Sequence, residues 1–503
     1  MPRRLAAGLA LASGVLLALC LPRPGLCFLG WIGLAPLLYA VTRRPRREAF
    51  WLGLLAGFAF HGVAFYWIYS TCRFARVPAP AAILAWSALA GFEALAWGLS
   101  VWFGRWACED LPAPWRALGW AVVWTAGAVI WERWTPRLPG DLLEYTQWRF
   151  LSLIQIASLA GPHALGFIVA FVNAALAEAW DRSQAIRADA GEASGLALAL
   201  GLALASWGYG LVSLAARRSG GPSARVELLQ PNIDQYQKWS PAYSGDILKV
   251  FDALLSLPRT KPPALIVWPE SALPRLAAEG EAPAEAAAWS RRLGAFQIVG
   301  AVTEDGRGRR YNSALLLGPR GRLRATYHKR ELVPFGEYVP FHWLGRFIGI
   351  LDQLGGIQAG SARQPLFETP LGLAAASICY EAAFPRWARL DASRGARVIV
   401  NITNDGWYKR TWGPYQDFYE NVFRAVENRV VVIRSGNTGV SAAIDPWGVV
   451  LAEEPLGRRA RLDADVPARD AFPAGSFYAR HGDWLGWLSL ALAAALAAAA
   501  ARR

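Results

Sequence analysis

The sequence predicts an α+β membrane protein, an eight-helix transmembrane bundle carrying one α/β layered domain outside the membrane. Three observations predict it. The chain is 54% hydrophobic and only 18% charged over 503 residues, apolar-rich beside an ordinary globular protein and long enough for two or three domains. That excess is confined to residues 1–216 and 484–501, strings of Leu, Ala, Gly, Val, Phe and Trp, whereas 217–480 reads as soluble sequence. Within 217–480, short β-rich runs alternate with stretches of helical spacing, the pattern of sheets covered on both faces. The expected organisation is therefore a seven-span segment at 1–216, an extramembrane domain at 217–480 and a last membrane helix within 481–503.

Each predicted span is close to the roughly 20 residues that cross a bilayer. The spans lie at 5–21, 26–42, 49–70, 80–104, 116–133, 152–180, 194–215 and 484–501. The first follows Arg3 and Arg4 as a signal peptide would, but further spans follow at once, so it reads as an uncleaved anchor. Gly53 and Gly57 have the spacing of a helix-packing motif, a weak signal in so glycine-rich a segment. Orientation comes from arginines in the short loops. A cytoplasmic N-terminus puts Arg3, Arg4, Arg43, Arg44, Arg46, Arg47, Arg105, Arg116, Arg182, Arg187, Arg502 and Arg503 inside. Only Arg23, Arg73, Arg76, Arg133, Arg137 and Arg149 then face out, which places 217–480 outside, in a periplasm where the cell has an outer membrane.

The net charge of +14, from 52 Lys and Arg against 38 Asp and Glu, fits membrane orientation and anionic headgroups. With no basic–aromatic stripe, zinc knuckle or recognition-helix pattern, nucleic acid is not an expected partner. The scarcity of ionisable residues in the spans argues against transport, Glu93 and His61 being the exceptions. Of the five cysteines, Cys20, Cys27, Cys72 and Cys108 lie in or beside apolar segments without metal-type spacing. Cys379 is the only one in 217–480, so it has no disulfide partner within that segment. No HExxH or Cys-xx-Cys is present, and neither metal nor cofactor is expected.

Strands are expected at Arg225–Leu229, Ala264–Trp268, Phe296–Val302, Asn312–Leu317, Leu323–Tyr327, Leu373–Ile378 and Val398–Ile402, with a helix from Pro241 to Leu257. Ligand chemistry in α/β folds gathers at the carboxyl ends of strands. Three such ends carry reactive groups: Glu270 after Val267-Trp268-Pro269, Lys329 after Tyr327-His328, and Cys379 after Ser377-Ile378. A thiol needs a base or a neighbouring cation to become a nucleophile, and these residues supply a carboxylate and an ammonium. Arginine is everywhere in this chain and lysine rare (Lys238, Lys249, Lys261, Lys329 and Lys409), so a retained lysine has a task that guanidinium does not perform. His328 adjoins Lys329, but alternation in an extended segment points it away.

The motifs Trp268-Pro269-Glu270-Ser271, Tyr327-His328-Lys329 through Pro340, and Ile378-Cys379-Tyr380-Glu381 resemble the Glu–Lys–Cys signature of the nitrilase, or carbon–nitrogen hydrolase, superfamily. More narrowly, the whole chain resembles the apolipoprotein N-acyltransferase family, in the block Leu332-Val333-Pro334-Phe335-Gly336-Glu337, in Asn404-Asp405-Gly406-Trp407, Gly413-Pro414 and Arg434-Ser435-Gly436-Asn437-Thr438-Gly439. The resemblance implies a nitrilase-like α-β-β-α sandwich for 217–480. It implies Cys379 as nucleophile, Glu270 as general base and Lys329 as the cation that stabilises charged intermediates. Glu337 and Glu381 match two further carboxylates of the family, Tyr380 a functional position after the nucleophile, and Trp239 a tryptophan near the acyl-chain entrance.

The implied reaction moves the sn-1 acyl chain of a phospholipid, typically phosphatidylethanolamine, through a Cys379 thioester to the N-terminal amine of a diacylglyceryl apolipoprotein. The implied site is a bacterial inner membrane, with both termini cytoplasmic and the enzyme a monomer. The active-centre residues alone leave water open as the second acceptor, which would make the protein a membrane-tethered amidase. Phe341 to Leu354, apolar enough for an outer-leaflet lid, reads equally as a core helix. Glu144-Tyr145-Thr146-Gln147, on the outer side before span six, reads as a brace or a lipid contact.

Overall fold

The computed structural model describes residues 1–112, 114–135, 140, 142–183, 190–217, 223–334, 336–338, 356–467 and 475–502. The segment from Phe341 to Leu354 lies outside the described residues. By packing, the chain divides into two compact units, a helical unit (Met1–Arg217, Thr411–Tyr419 and Arg480–Arg503) and a sandwich unit (Arg218–Arg410 and Glu420–Ala479).

In the helical unit, helices Arg3–Ala18, Arg46–Ala64, Ala79–Ala107, Trp115–Trp134, His163–Ser183, Ala190–Ala215 and Trp484–Ala501 fall within or across seven of the predicted spans. Among the described residues, four helical stretches have the length and composition to cross a membrane: Ala79–Ala107, His163–Asp181, Ser194–Ala215 and Trp484–Ala501. A fifth forms if Arg46–Ala64 and Tyr66–Phe74, bent by 46° at their junction, count as one. The expected span at 26–42 is instead a 3-10 turn, Cys27–Trp31, followed by the short helix Ala35–Val41. Pro36 in its first turn favours a helix start there. The expected span at 152–180 is likewise broken, because Gly161 adopts φ +80 and Pro162 follows it ahead of helix His163–Ser183.

A helix that begins inside apolar surroundings must find partners for its first N–H groups. Asn173 supplies them: its Oδ1 accepts from Leu34 N at 2.8 Å and Ala35 N at 2.9 Å, while Ser13 Oγ accepts from Leu37 N at 2.8 Å. The glycine spacing on helix Arg46–Ala64 is a packing device. A Cβ on Gly53 would sit 2.9 Å from Trp97 O, and one on Gly57 2.9 Å from Ala94 Cα, so both glycines admit helix Ala79–Ala107. Buried His163 faces two carboxylates, Glu132 Oε2 at 3.2 Å and Asp483 Oδ2 at 3.3 Å, joining three helical segments. Glu93 accepts from Trp131 Nε1 at 2.7 Å, and His61 Nδ1 lies 2.7 Å from Gly57 O. Glu144 through Gln147 form a buried 3-10 turn whose Gln147 donates to Cys27 O at 2.9 Å.

Two mixed sheets form the sandwich unit. The first has β1 (Ser223–Gln230), β2 (Leu265–Val267), β3 (Leu276–Ala278), β4 (Phe296–Glu304), β5 (Arg310–Leu317), β6 (Leu323–His328) and β13 (Ala460–Pro467). Its order is β13-β1-β2-β4-β5-β6, with β3 on β4. The second has β7 (Phe367–Thr369), β8 (Gly372–Ile378), β9 (Val398–Thr403), β10 (Val431–Gly436), β11 (Ser441–Ile444) and β12 (Val450–Glu454), ordered β12-β11-β10-β9-β8-β7. Both are parallel at the centre, β1/β2/β4 and β8/β9/β10, with antiparallel neighbours outside.

The period of two along each strand sorts side chains between two cores. Val226, Leu228, Val267 and Ile298 meet Ala374, Ala376, Ile378, Val400 and Ile433 in one cluster between the sheets. Leu229, Ile266, Val299 and Leu315 face the other way, against Ile247, Phe251 and Leu254 of helix Ser244–Ser256 and Trp289 of helix Ala284–Leu293. Helices Ser244–Ser256 and Ala284–Leu293 cover the first sheet, while helix Pro385–Ser393 packs against β8 of the second and helix Gly413–Asn428 ties Asn421 to Asn401 of β9.

Candidate active site

The apolar run of β2 is fully buried and stops at Pro269, so Glu270 emerges at its carboxyl end. Trp268 N donates to Ile298 O and Ala272 N to Gly300 O, both at 2.8 Å, gripping the Glu270 segment on each side. Gly300 is required by this approach, because a Cβ there would sit 2.2 Å from Pro269 O. Strand β6 delivers Lys329, whose N donates to Asn312 O at 2.8 Å as a continuation of the β5/β6 ladder.

Lys329 is 1% exposed, and its Nζ lies 2.9 Å from Glu337 Oε2 and 3.5 Å from Glu270 Oε1. Asn312 Nδ2 ties the same two carboxylates, donating to Glu270 Oε1 at 2.6 Å and Glu337 Oε1 at 3.0 Å. Burial pushes the Lys329 ammonium down, but Glu337, then Glu270 and Cys379, outweigh it and hold its pKa well above the ordinary lysine value. It is a fixed cation near neutral pH.

Strand β8 ends at Ile378, and Cys379 opens a 3-10 turn, Cys379–Ala383, with φ +55. A non-glycine residue in the left-handed region is held there by its surroundings. Two sets of bonds hold this one. Asn401 of β9 donates from Nδ2 to Cys379 O at 3.1 Å, and Arg434 of β10 holds that amide through Asn401 Oδ1 at 2.7 Å. Arg434 in turn pairs with Asp405 Oδ2 at 2.9 Å, both side chains fully buried.

Glu381 forms the second set. Its Oε2 accepts from Ile378 N and Tyr327 Oη at 2.7 Å each, and its Oε1 from Arg330 N at 2.5 Å and Glu331 N at 3.1 Å. One carboxylate thus clips the cysteine turn to the segment that follows Lys329. Burial raises the Glu381 pKa above the ordinary carboxylate value, while Arg330 and these donors pull it back.

The residues expected from the sequence therefore divide. Glu270, Lys329 and Glu337 are in contact, Cys379 interacts electrostatically with Lys329, and Glu381 braces the turn. Tyr380 is half-buried and stacks edge-on to Phe384, with ring centroids 5.0 Å apart. Trp239 is 44% exposed, at the end of the short helix Gln235–Lys238. His328 turns to Ser313 Oγ at 2.8 Å and the Tyr311 ring. Sequence reasoning missed Asn312, Asn401 and Lys238, whose Nζ donates to the main-chain oxygen of Glu270 at 2.7 Å. Asn312 was legible as the first residue of an expected strand, although nothing local marked its side chain.

A carboxylate, a buried lysine and a strained cysteine at neighbouring strand ends of a two-sheet α/β sandwich define a carbon–nitrogen hydrolase domain. Residues 226–471 match that family's model, carbon–nitrogen hydrolase, and residues 13–175 match the apolipoprotein N-acyltransferase N-terminal domain. The chain is 34% identical to an apolipoprotein N-acyltransferase of Geobacter metallireducens over 98% of this chain and 95% of that one. It is 31% identical to the one of Caulobacter vibrioides, over 91% of this chain and 88% of that one. The chain is also similar to the crystal structure of Saccharomyces cerevisiae Nit3, a nitrilase-superfamily member, with 19% identity and a TM-score of 0.38, covering 49% of this chain and 90% of that one. The chain belongs to the apolipoprotein N-acyltransferase family.

Proposed function

We propose that this protein transfers the sn-1 acyl chain of a phospholipid, phosphatidylethanolamine being the expected donor, to the N-terminal amine of a diacylglyceryl apolipoprotein. The observation that carries the reading is the buried Glu270–Lys329 pair, with Lys329 in electrostatic reach of Cys379, in a chain whose relatives are apolipoprotein N-acyltransferases over nearly its whole length.

Glu270 takes the Cys379 thiol proton as sulfur attacks the sn-1 ester carbonyl. Lys329 stabilises the oxyanion that forms. The ester C–O bond then breaks, Glu270 returns its proton to the departing oxygen, and lysophospholipid leaves Cys379 as a thioester. The α-amine of the apolipoprotein attacks that thioester, forming the amide N–C bond. As the C–S bond breaks, the amine proton passes through Glu270 to the sulfur. An amide is more stable than a thioester, so no nucleotide is needed. Glu337 and Asn312 fix Lys329 and Glu270, Glu381 fixes the turn, and Tyr380 and Trp239 border the path of the acyl chain.

In this reading segments 1–216 and 481–503 form a multi-pass membrane domain with both termini cytoplasmic in a bacterial inner membrane. Segment 217–480 works in the periplasm as part of a monomer. The arginine distribution and the four long apolar helices support it. Anchored lipid substrates cannot diffuse to a soluble enzyme, which gives the spans their purpose. Incubating the purified protein with phosphatidylethanolamine and a diacylglyceryl peptide tests the acceptor. N-acyl peptide is the expected product, whereas free fatty acid alone would make the protein a hydrolase.

A further inference from the structure

Of the five lysines in the chain, Lys249, Lys261 and Lys409 are exposed. The two buried ones, Lys238 and Lys329, both close on the Glu270 strand end. Burying an ammonium is unfavourable unless its surroundings use the charge. Lys329 has two carboxylates for this. Lys238, 2% exposed, donates at 2.7 Å to a neutral partner, the main-chain oxygen of Glu270. Its charge is therefore spent on groups further off, the Glu270 carboxylate and Cys379.

The charges around this point come from three elements. Glu270 follows β2, Lys329 and Glu337 follow β6, and Cys379 and Glu381 follow β8, with Glu381 held against Arg330. Two ammoniums, Lys238 and Lys329, thus face two carboxylates, Glu270 and Glu337, before the thiol ionises. Without Lys238, a thiolate would add a third negative charge beside a single cation, and like charges disfavour ionisation. Burial pushes the Lys238 ammonium down to about 8 against the opposing pull of Glu270 and Cys379, so it still carries its charge at neutral pH.

We propose that Lys238 is a positioning residue of the acyl-transfer site, pinning the main chain that carries Glu270 and supplying a second fixed positive charge that favours the Cys379 thiolate. The inference rests on the reading of Cys379 as nucleophile. A lysine suits the task because its single terminal nitrogen reaches one carbonyl, where a guanidinium would need several partners.

The test is the pH dependence of Cys379 alkylation by iodoacetamide in the full chain, purified in detergent micelles, with the modified cysteine located by peptide mass. Lys238→Gln keeps an N–H donor for the Glu270 carbonyl and removes the charge, and Lys238→Arg keeps the charge. Lys238→Gln is expected to slow alkylation at pH 7 about tenfold and to move the inflection of the profile to higher pH, by about one unit. Lys238→Arg is expected to keep the wild-type inflection. An unchanged inflection in Lys238→Gln, even with a uniformly lower rate, overturns the electrostatic role. Absence of Cys379 alkylation in the wild-type protein overturns the nucleophile reading, and this inference with it.

Discussion

Arg434→Met would remove a fully buried guanidinium that sits 2.9 Å from the fully buried Asp405 carboxylate. Asp405 would keep Thr403 Oγ1 at 3.0 Å but lose its counter-charge. Removing one partner of a buried ion pair costs about 3–5 kcal/mol, because a charge stays buried and uncompensated. For a domain of this size each kcal/mol is worth roughly 2–4 °C, so the thermal midpoint is expected to fall by roughly 6–20 °C. Arg434 also holds Asn401 Oδ1 at 2.7 Å, and Asn401 holds Cys379 O at 3.1 Å. The double variant Arg434→Met/Asp405→Leu removes the stranded charge and is expected to recover most of the midpoint. It removes the short Arg434 donor from Asn401 Oδ1 and leaves Asn421 Nδ2 there at 3.5 Å, so acylation of Cys379 is expected to stay at least about tenfold below wild type, the equivalent of one lost hydrogen bond. Tryptophan fluorescence on heating reads the first quantity, and intact mass after incubation with phosphatidylethanolamine reads the second. A midpoint lowered by less than about 2 °C in the single variant, or wild-type acylation in the double variant, would refute the reasoning.

Three further outcomes are expected. Glu381→Gln forces an amide N–H₂ to face at least one main-chain donor, Ile378 N or the Arg330 and Glu331 pair. Denaturation should report a loss of about 1–3 kcal/mol, and an unchanged midpoint would contradict the clip. Gly300→Ala places a Cβ 2.2 Å from Pro269 O, so the Glu270 strand end must move. Acyl transfer should drop by about 10²-fold, as for a misplacement of about 1 Å, while the unfolding midpoint moves far less; equal losses in both would point to general unfolding. The Lys238 ammonium ionises at about 8 in the folded chain against an ordinary 10.5, with burial the main cause. Between those values the unfolded chain holds a proton that the folded chain has released, so stability rises with pH. Wild-type protein should gain stability relative to Lys238→Gln from pH 8 to 10.5, a gain lost again as pH falls through 8, and parallel curves would contradict the burial.

The strand ends were legible in the sequence because each is marked twice, by a β-rich run, fully apolar in β2 and mixed in β6, and by the reactive residue that follows it. Val267 leads to Glu270, Tyr327 to Lys329 and Ile378 to Cys379, and those runs are β2, β6 and β8. What supports the trio was less legible. Asn312 matters because β5 pairs with β6 and brings its amide between two carboxylates, a relation that exists only after the sheet forms. Asp405 and Arg434 stood out as motif residues, but their link to Cys379 runs through Asn401, which no local pattern marks. Lys238 was visible only as one of few lysines. In the helical unit, hydropathy sees apolar content and not helix breaks. The turn at Cys27–Trp31 and the break at Gly161 therefore read as continuous spans, and the Asn173 cap lies 138 residues from Ala35.

The central claim is that Cys379 carries the acyl chain. Incubating the full chain with phosphatidylethanolamine bearing a radiolabelled sn-1 chain, then denaturing it, measures this directly. The account predicts label bound to wild-type protein, released by hydroxylamine as a thioester is, and none on Cys379→Ala. Label retained on Cys379→Ala, or no trapped label on a wild-type protein that still forms N-acyl peptide, would contradict it.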